Sequence, residues 1–162
     1  MNNAEILMRI ICGLFLTTLV SPAIADCPAP VELSKALVKS GYSFAFDQDI
    51  PDFFAPEFRK LIEGDKACQA KEQGVCHLDW DPWTSAQDGE MGKPVSFSYE
   101  YKRDEGAVVA VKYPFVLDKA RPATPQVVHL VYRKSADKCW LLDDFIEPAG
   151  GSMFRLFSEP MP

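Results

Sequence analysis

Apolar positions recur at helical spacing in the first half of the chain and at alternating spacing beyond residue 94. Val31, Leu33, Leu37 and Val38 predict a first helix over 31–40, entered at Pro30 and stopped at Gly41. A second stretch beginning at Asp52 places Phe53, Phe54, Phe58, Leu61 and Ile62 on one stripe and ends at Gly64 or near Cys68. An aromatic stripe of this kind reads as core. From Val95 the period becomes two: Val95, Phe97, Tyr99 and Tyr101 alternate with Ser96, Ser98, Glu100 and Lys102, a half-buried strand. Asp104-Glu105-Gly106 turns the chain into a second strand over 107–115, where Pro114 marks an edge or a bulge. A third strand spans 126–133, and Ser135-Ala136-Asp137 turns into a fourth over 138–145. Two helices followed by an antiparallel meander predict an α+β fold, with the helices on one face of a curved antiparallel sheet.

The N-terminus carries an address. Arg9 precedes an apolar run from Ile10 to Val20, followed by Ser21-Pro22 and the small-x-small triplet Ala23-Ile24-Ala25, so residues 1–25 read as a signal peptide cleaved between Ala25 and Asp26. The run is well short of the about 20 residues that cross a bilayer, which leaves no stable membrane anchor after cleavage. Asp26 before Cys27 argues against lipid modification. Glu5 is unusual in such a segment, and a start at Met8 would give a more typical one. The expectation is a single domain over 26–162, periplasmic or secreted.

Cysteine usage fits that compartment. Cys12 leaves with the signal, and Cys27, Cys68, Cys76 and Cys139 remain, an even set with three possible pairings. We favour Cys68–Cys76, which staples a helix end to the loop after it, and Cys27–Cys139, which ties the mature N-terminus to the last strand. No C-x-x-C spacing or paired histidine supports zinc, and the sequence reads as holding no metal or other cofactor. Seventeen basic residues against 23 acidic ones give a net charge of −6, which disfavours nucleic acid as a partner.

Three stretches carry a resemblance: Phe53-Phe54-Ala55-Pro56-Glu57-Phe58 leading to Leu61-Ile62 and Asp65; Leu78-Asp79-Trp80-Asp81-Pro82-Trp83 with Gln87-Asp88; and Trp140-Leu141-Leu142-Asp143-Asp144-Phe145 with Gly150-Gly151-Ser152. Together, over residues 52–157, they resemble the bacterial domain of unknown function 3828 family. The sequence departs from that family in having Trp83 where phenylalanine is more frequent, and in its four cysteines. The resemblance implies an exported or lipid-anchored protein with a nuclear-transport-factor-two-like cone, a pocket between sheet and helices, and an open sheet face on which a homodimer can form. It implies no catalytic residues.

Candidate chemistry follows from the residues themselves. Asp79, Asp81 and Asp88 are close enough in sequence to suggest calcium, but Asp81-Pro82 reads as a helix N-cap with proline in the first helical position. Gln87 and Asp88 either tie this segment to the sheet or face a cavity mouth. Trp80, Trp83, Tyr99 and Tyr101 either line a ligand cavity or fill core. His129 shares a strand face with Val127 and Val131, whereas His77 in its loop is expected to be exposed. Asp143 and Asp144 point to opposite faces of the last strand, one of them inward. Three functions remain open: a non-catalytic exported binding module for another exported protein or a small ligand, such as an inhibitor or immunity-type protein; a small hydrolase or isomerase using His129 with Asp88 or Asp143/Asp144; and an envelope scaffold.

Overall fold

The structure, a computed structural model, describes residues 27–160; the expected signal segment and its cleavage point lie outside them. Helix α1 spans Pro30–Ser40 and α2 spans Pro56–Glu72. Strands β1 (Glu90–Met91), β2 (Ser96–Lys102), β3 (Gly106–Val116), β4 (Thr124–Lys134) and β5 (Trp140–Ile146) follow, and a short α3 (Met153–Ser158) closes the domain.

Helix α1 begins and ends where its sequence dictates. Pro30 takes the first turn, and Gly41 adopts a left-handed φ of 66° with its N–H on the Val38 carbonyl. Helix α2 starts at Pro56 rather than Asp52, because Leu142 uses the residues before it as an extra strand segment. Ala55 N–H donates to the Leu142 carbonyl at 2.8 Å, and Leu142 N–H donates to the Phe53 carbonyl at 2.7 Å. The edge of β5 is thereby covered. The helix then runs through Gly64 and Cys68 to Glu72, and Gln73 leaves it in a left-handed conformation, φ 52°.

The sheet is antiparallel and curled. Strand β4 pairs along nearly all of β3 on one side, while β1 and β2 pair one after the other along its opposite edge. Pro114 and Pro125 face each other across β3 and β4, so the third strand begins at Thr124, before the expected residue 126. The last strand begins at Trp140, because Ser135 and Cys139 close the preceding turn through Ser135 N–H to the Cys139 carbonyl at 2.8 Å. A register shift between Tyr99 and Tyr101 breaks the expected alternation of β2: Tyr99 lies opposite Val109 and Tyr101 opposite Val108. Residue 100 is the extra one, and the two tyrosines face opposite sides of the sheet.

The helices cover the face carrying Val109, Val111, Val128, Leu130, Leu142 and Phe145, all fully buried. The space between sheet and helices, where the resemblance implies a pocket, is filled by rings. Phe44 sits at the centre, with ring centroids 5.1 Å from Phe145, 5.6 Å from Phe58, 5.9 Å from Phe54 and 6.2 Å from Phe157. Both favoured disulfides are present, Cys27–Cys139 and Cys68–Cys76. Among the described residues no helix is long and apolar enough to cross a membrane.

Candidate functional site

Beside a charged cavity of about 620 Å³ along α2, lined by Asp49, Asp52, Arg59, Glu63 and Lys66, two open cavities border β5 and hold residues singled out in the sequence. The first is a groove of about 540 Å³ between β4, β5, α2 and α3, lined by Glu57, Val131, Arg133, Asp143, Asp144 and Phe154. Arg133 projects from β4 and donates from Nε to Asp143 Oδ1 at 2.6 Å, while its other end reaches Glu57. The Asp143 hydrogen bond, aided by the charges of Asp143 and Glu57, raises the pKa of the guanidinium. Asp144 is held differently. Its Oδ1 accepts from the N–H of Phe145 at 2.7 Å and of Phe154 at 2.9 Å, and its Oδ2 accepts from Ser152 Oγ at 2.6 Å. Ser152 in turn caps α3 by accepting from Arg155 N–H. Contrary to the expected opposition, Asp143 and Asp144 line the same groove, because the β4–β5 register shifts between Val131 and Tyr132. Three carboxylates and one guanidinium thus surround a floor of Val131 and Phe154.

The second cavity, of about 400 Å³, lies between the loop carrying Trp80 and the β5–α3 turn. Glu147 is only 8 % exposed there. Its Oε2 accepts from Trp80 Nε1 at 2.7 Å and from Ser85 Oγ at 3.0 Å. Gly151 packs directly on its other oxygen, where any Cβ would overlap Oε1.

The loop between Leu78 and Asp88 is a closed turn, and the helix expected after Asp81 does not form. Asp81 N–H donates to the Ala86 carbonyl at 3.0 Å, the Asp81 carbonyl accepts from Thr84 and Ser85, and Asp81 Oδ1 accepts from Trp83 N–H at 2.9 Å. The carboxylate does satisfy a backbone N–H, but in an Asx-type turn. Burial pushes the Asp81 pKa up, and the Trp83 N–H offsets part of that rise. Asp79 accepts from Gln87 Nε2 at 3.2 Å, and both residues are exposed, as is Asp88. These aspartates therefore have separate tasks around the turn.

The remaining predicted residues do not converge. Trp83 is core: it is 4 % exposed, its ring lies 4.9 Å from Phe145, and its Nε1 donates to the Tyr42 carbonyl at 2.6 Å. Tyr99 and Tyr101 are 37 % and 46 % exposed, under Lys102 and Arg103 respectively. His129 lies on the sheet face away from the helices and meets Glu100, the bulge residue, at 3.0 Å, rather than Asp88, Asp143 or Asp144. His77 is not exposed, its side chain being 6 % accessible. Its Nδ1 lies 2.9 Å from Asp65 Oδ1 and its Nε2 3.1 Å from the Glu159 carbonyl, while Gln69 holds the other oxygen of Asp65.

Glu57, Arg133, Ser85 and Glu147 were not singled out by their sequence positions. The signal for Glu147 is its place at the exit of an apolar strand, just before Gly150-Gly151; Glu57 sits in the first turn of α2 with nothing local to mark it. No family model, no curated protein and no solved structure matches the chain.

Proposed function

We propose that this chain is an exported, non-catalytic binding module with the cone fold it resembles, and that the groove around Arg133 takes a basic group of another exported protein. The observation that carries the reading is the composition of that groove: Glu57, Asp143 and Asp144 against a single guanidinium, over an apolar floor of Val131 and Phe154. An entering lysine or arginine stem would pack on the floor while its head meets the carboxylates. The net charge of −6 draws a basic partner at long range. Two disulfides are the usual stapling of a small domain in an oxidising compartment, which supports a periplasmic or secreted location.

Calorimetric titration with a lysine-rich decapeptide tests this. The wild-type protein should bind it with an affinity that falls as salt rises, and the Glu57→Gln, Asp143→Asn double variant should bind at least tenfold more weakly. Equal affinities in wild type and variant would remove the groove from the account.

A further inference from the structure

We propose that the cavity beneath Trp80 is a second, independent binding site, and that its ligand is an organic ammonium ion. Glu147 supplies the reason. More than nine-tenths of this residue is buried, yet the donors that reach it are neutral: the Trp80 indole and the Ser85 hydroxyl, both on Oε2. Among the described residues, Oε1 accepts no hydrogen bond and no cation stands within ion-pair distance of Glu147. Arg155 lines the same cavity but makes no ion pair with Glu147, and Glu159 on the same lining offsets its charge, so the cavity keeps a net negative charge. A carboxylate withdrawn from water without a paired cation attracts one strongly, because both its own desolvation and the low local dielectric favour pairing.

The walls define the class of cation. Trp80, Met153 and Leu156 line the cavity and give an alkyl body somewhere apolar to lie, and the indole adds attraction for a positive charge. A volume of about 400 Å³ exceeds what a bare metal ion needs and suits a small organic molecule. The carboxylate is also preorganised. Trp80 and Ser85 fix Oε2, Ser85 accepts from Ala149 N–H at 3.3 Å, and Glu147 N–H donates to the Gly151 carbonyl at 2.9 Å. Gly151 keeps the space beside Oε1 free of a side chain. Oε1 is therefore presented to an incoming N–H donor by a carboxyl group that needs no rearrangement to bind it.

The Trp80 indole N–H reports on the site directly, since it is bonded to the same carboxylate. In a proton–nitrogen correlation spectrum of the full chain, n-butylammonium should shift that resonance saturably, with n-butanol as the neutral control of equal shape. The expected result is at least tenfold tighter binding of the cation than of the alcohol, and loss of that preference in Glu147→Gln, which keeps an oxygen acceptor for Trp80 and Ser85. A blocked lysine, acetylated and amidated, separates two sources of the same group. Binding of both cations identifies a protein lysine as an acceptable ligand, and binding of butylammonium alone identifies a free amine; either outcome supports the site. Equal binding of alcohol and cation, or no saturable shift with the cation, overturns the proposal. The wild-type comparison alone decides this if Glu147→Gln does not fold. The Glu57→Gln, Asp143→Asn double variant keeps the two sites distinguishable: both residues are absent from this cavity, so the butylammonium shift should persist in it whatever the decapeptide does.

Discussion

At the scale of the residue, the domain spends its buried polar groups on holding loops and helices in place. Ser34 shows this on α1: its hydroxyl donates to the Pro30 carbonyl at 2.8 Å and lies 2.9 Å from the Tyr132 hydroxyl, both in the interior. Ser34→Ala leaves the Tyr132 hydroxyl buried and unpaired and should cost about 1–3 kcal/mol, whereas Tyr132→Phe removes the orphan together with the bond and should cost about 0.5–1.5 kcal/mol. Chemical denaturation of the two variants checks the order, and the reverse order would contradict it. Asp81 makes a pH-dependent case. Burial raises its folded-state pKa above the ordinary 3.8, only partly offset by the Trp83 N–H. Its contribution to stability is therefore fully present below the unfolded value and is lost as pH climbs through the raised folded one. Asp81→Asn retains the acceptor for Trp83 and never charges, so its melting temperature should gain on the wild type as pH rises from below the ordinary 3.8 toward neutrality. A gap that stays constant over that range would mean that burial of this carboxyl carries no penalty.

At the scale of the element, the two disulfides act on very different loops. Cys68–Cys76 closes a sequence separation of 8 and Cys27–Cys139 one of 112. Loop-closure entropy assigns them about 2.6 and about 4.8 kcal/mol. Cys27→Ser with Cys139→Ser should thus lower the denaturation midpoint more than Cys68→Ser with Cys76→Ser, and the opposite ranking would contradict the loop argument. Both pairings were legible in the sequence, as was the order of two helices and then a meander, because cysteine separation and hydrophobic period are local signals. What was illegible depends on partners far away in the chain. The segment Phe53–Ala55 has the apolar spacing of a helix, but Leu142 recruits its backbone for the edge of β5. The β2 bulge leaves no mark on the perfect alternation of its residues, yet it moves Tyr101 to the other face and brings Glu100 to His129. The short helix α3 depends on Asp144, itself eight residues before its N-cap Ser152.

At the scale of the whole molecule, an aromatic core fills the space between sheet and helices, and the two candidate sites lie in cavities at the periphery of β5. Asp143, Asp144 and Trp80 were recognised as candidates from sequence, but their environments were not. Glu57 is 76 residues from Arg133, and Trp80 is 67 residues from Glu147, so neither site exists until the fold closes. The central claim is that the acidic groove is a docking point for a basic partner, and a chemical-shift map tests it most directly. The lysine-rich decapeptide, titrated into the labelled protein, should perturb Glu57, Val131, Arg133, Asp143 and Phe154 as one contiguous set, with the perturbation suppressed by Glu57→Gln. Shifts spread over the acidic surface in general, or centred on another face with these residues silent, would contradict it.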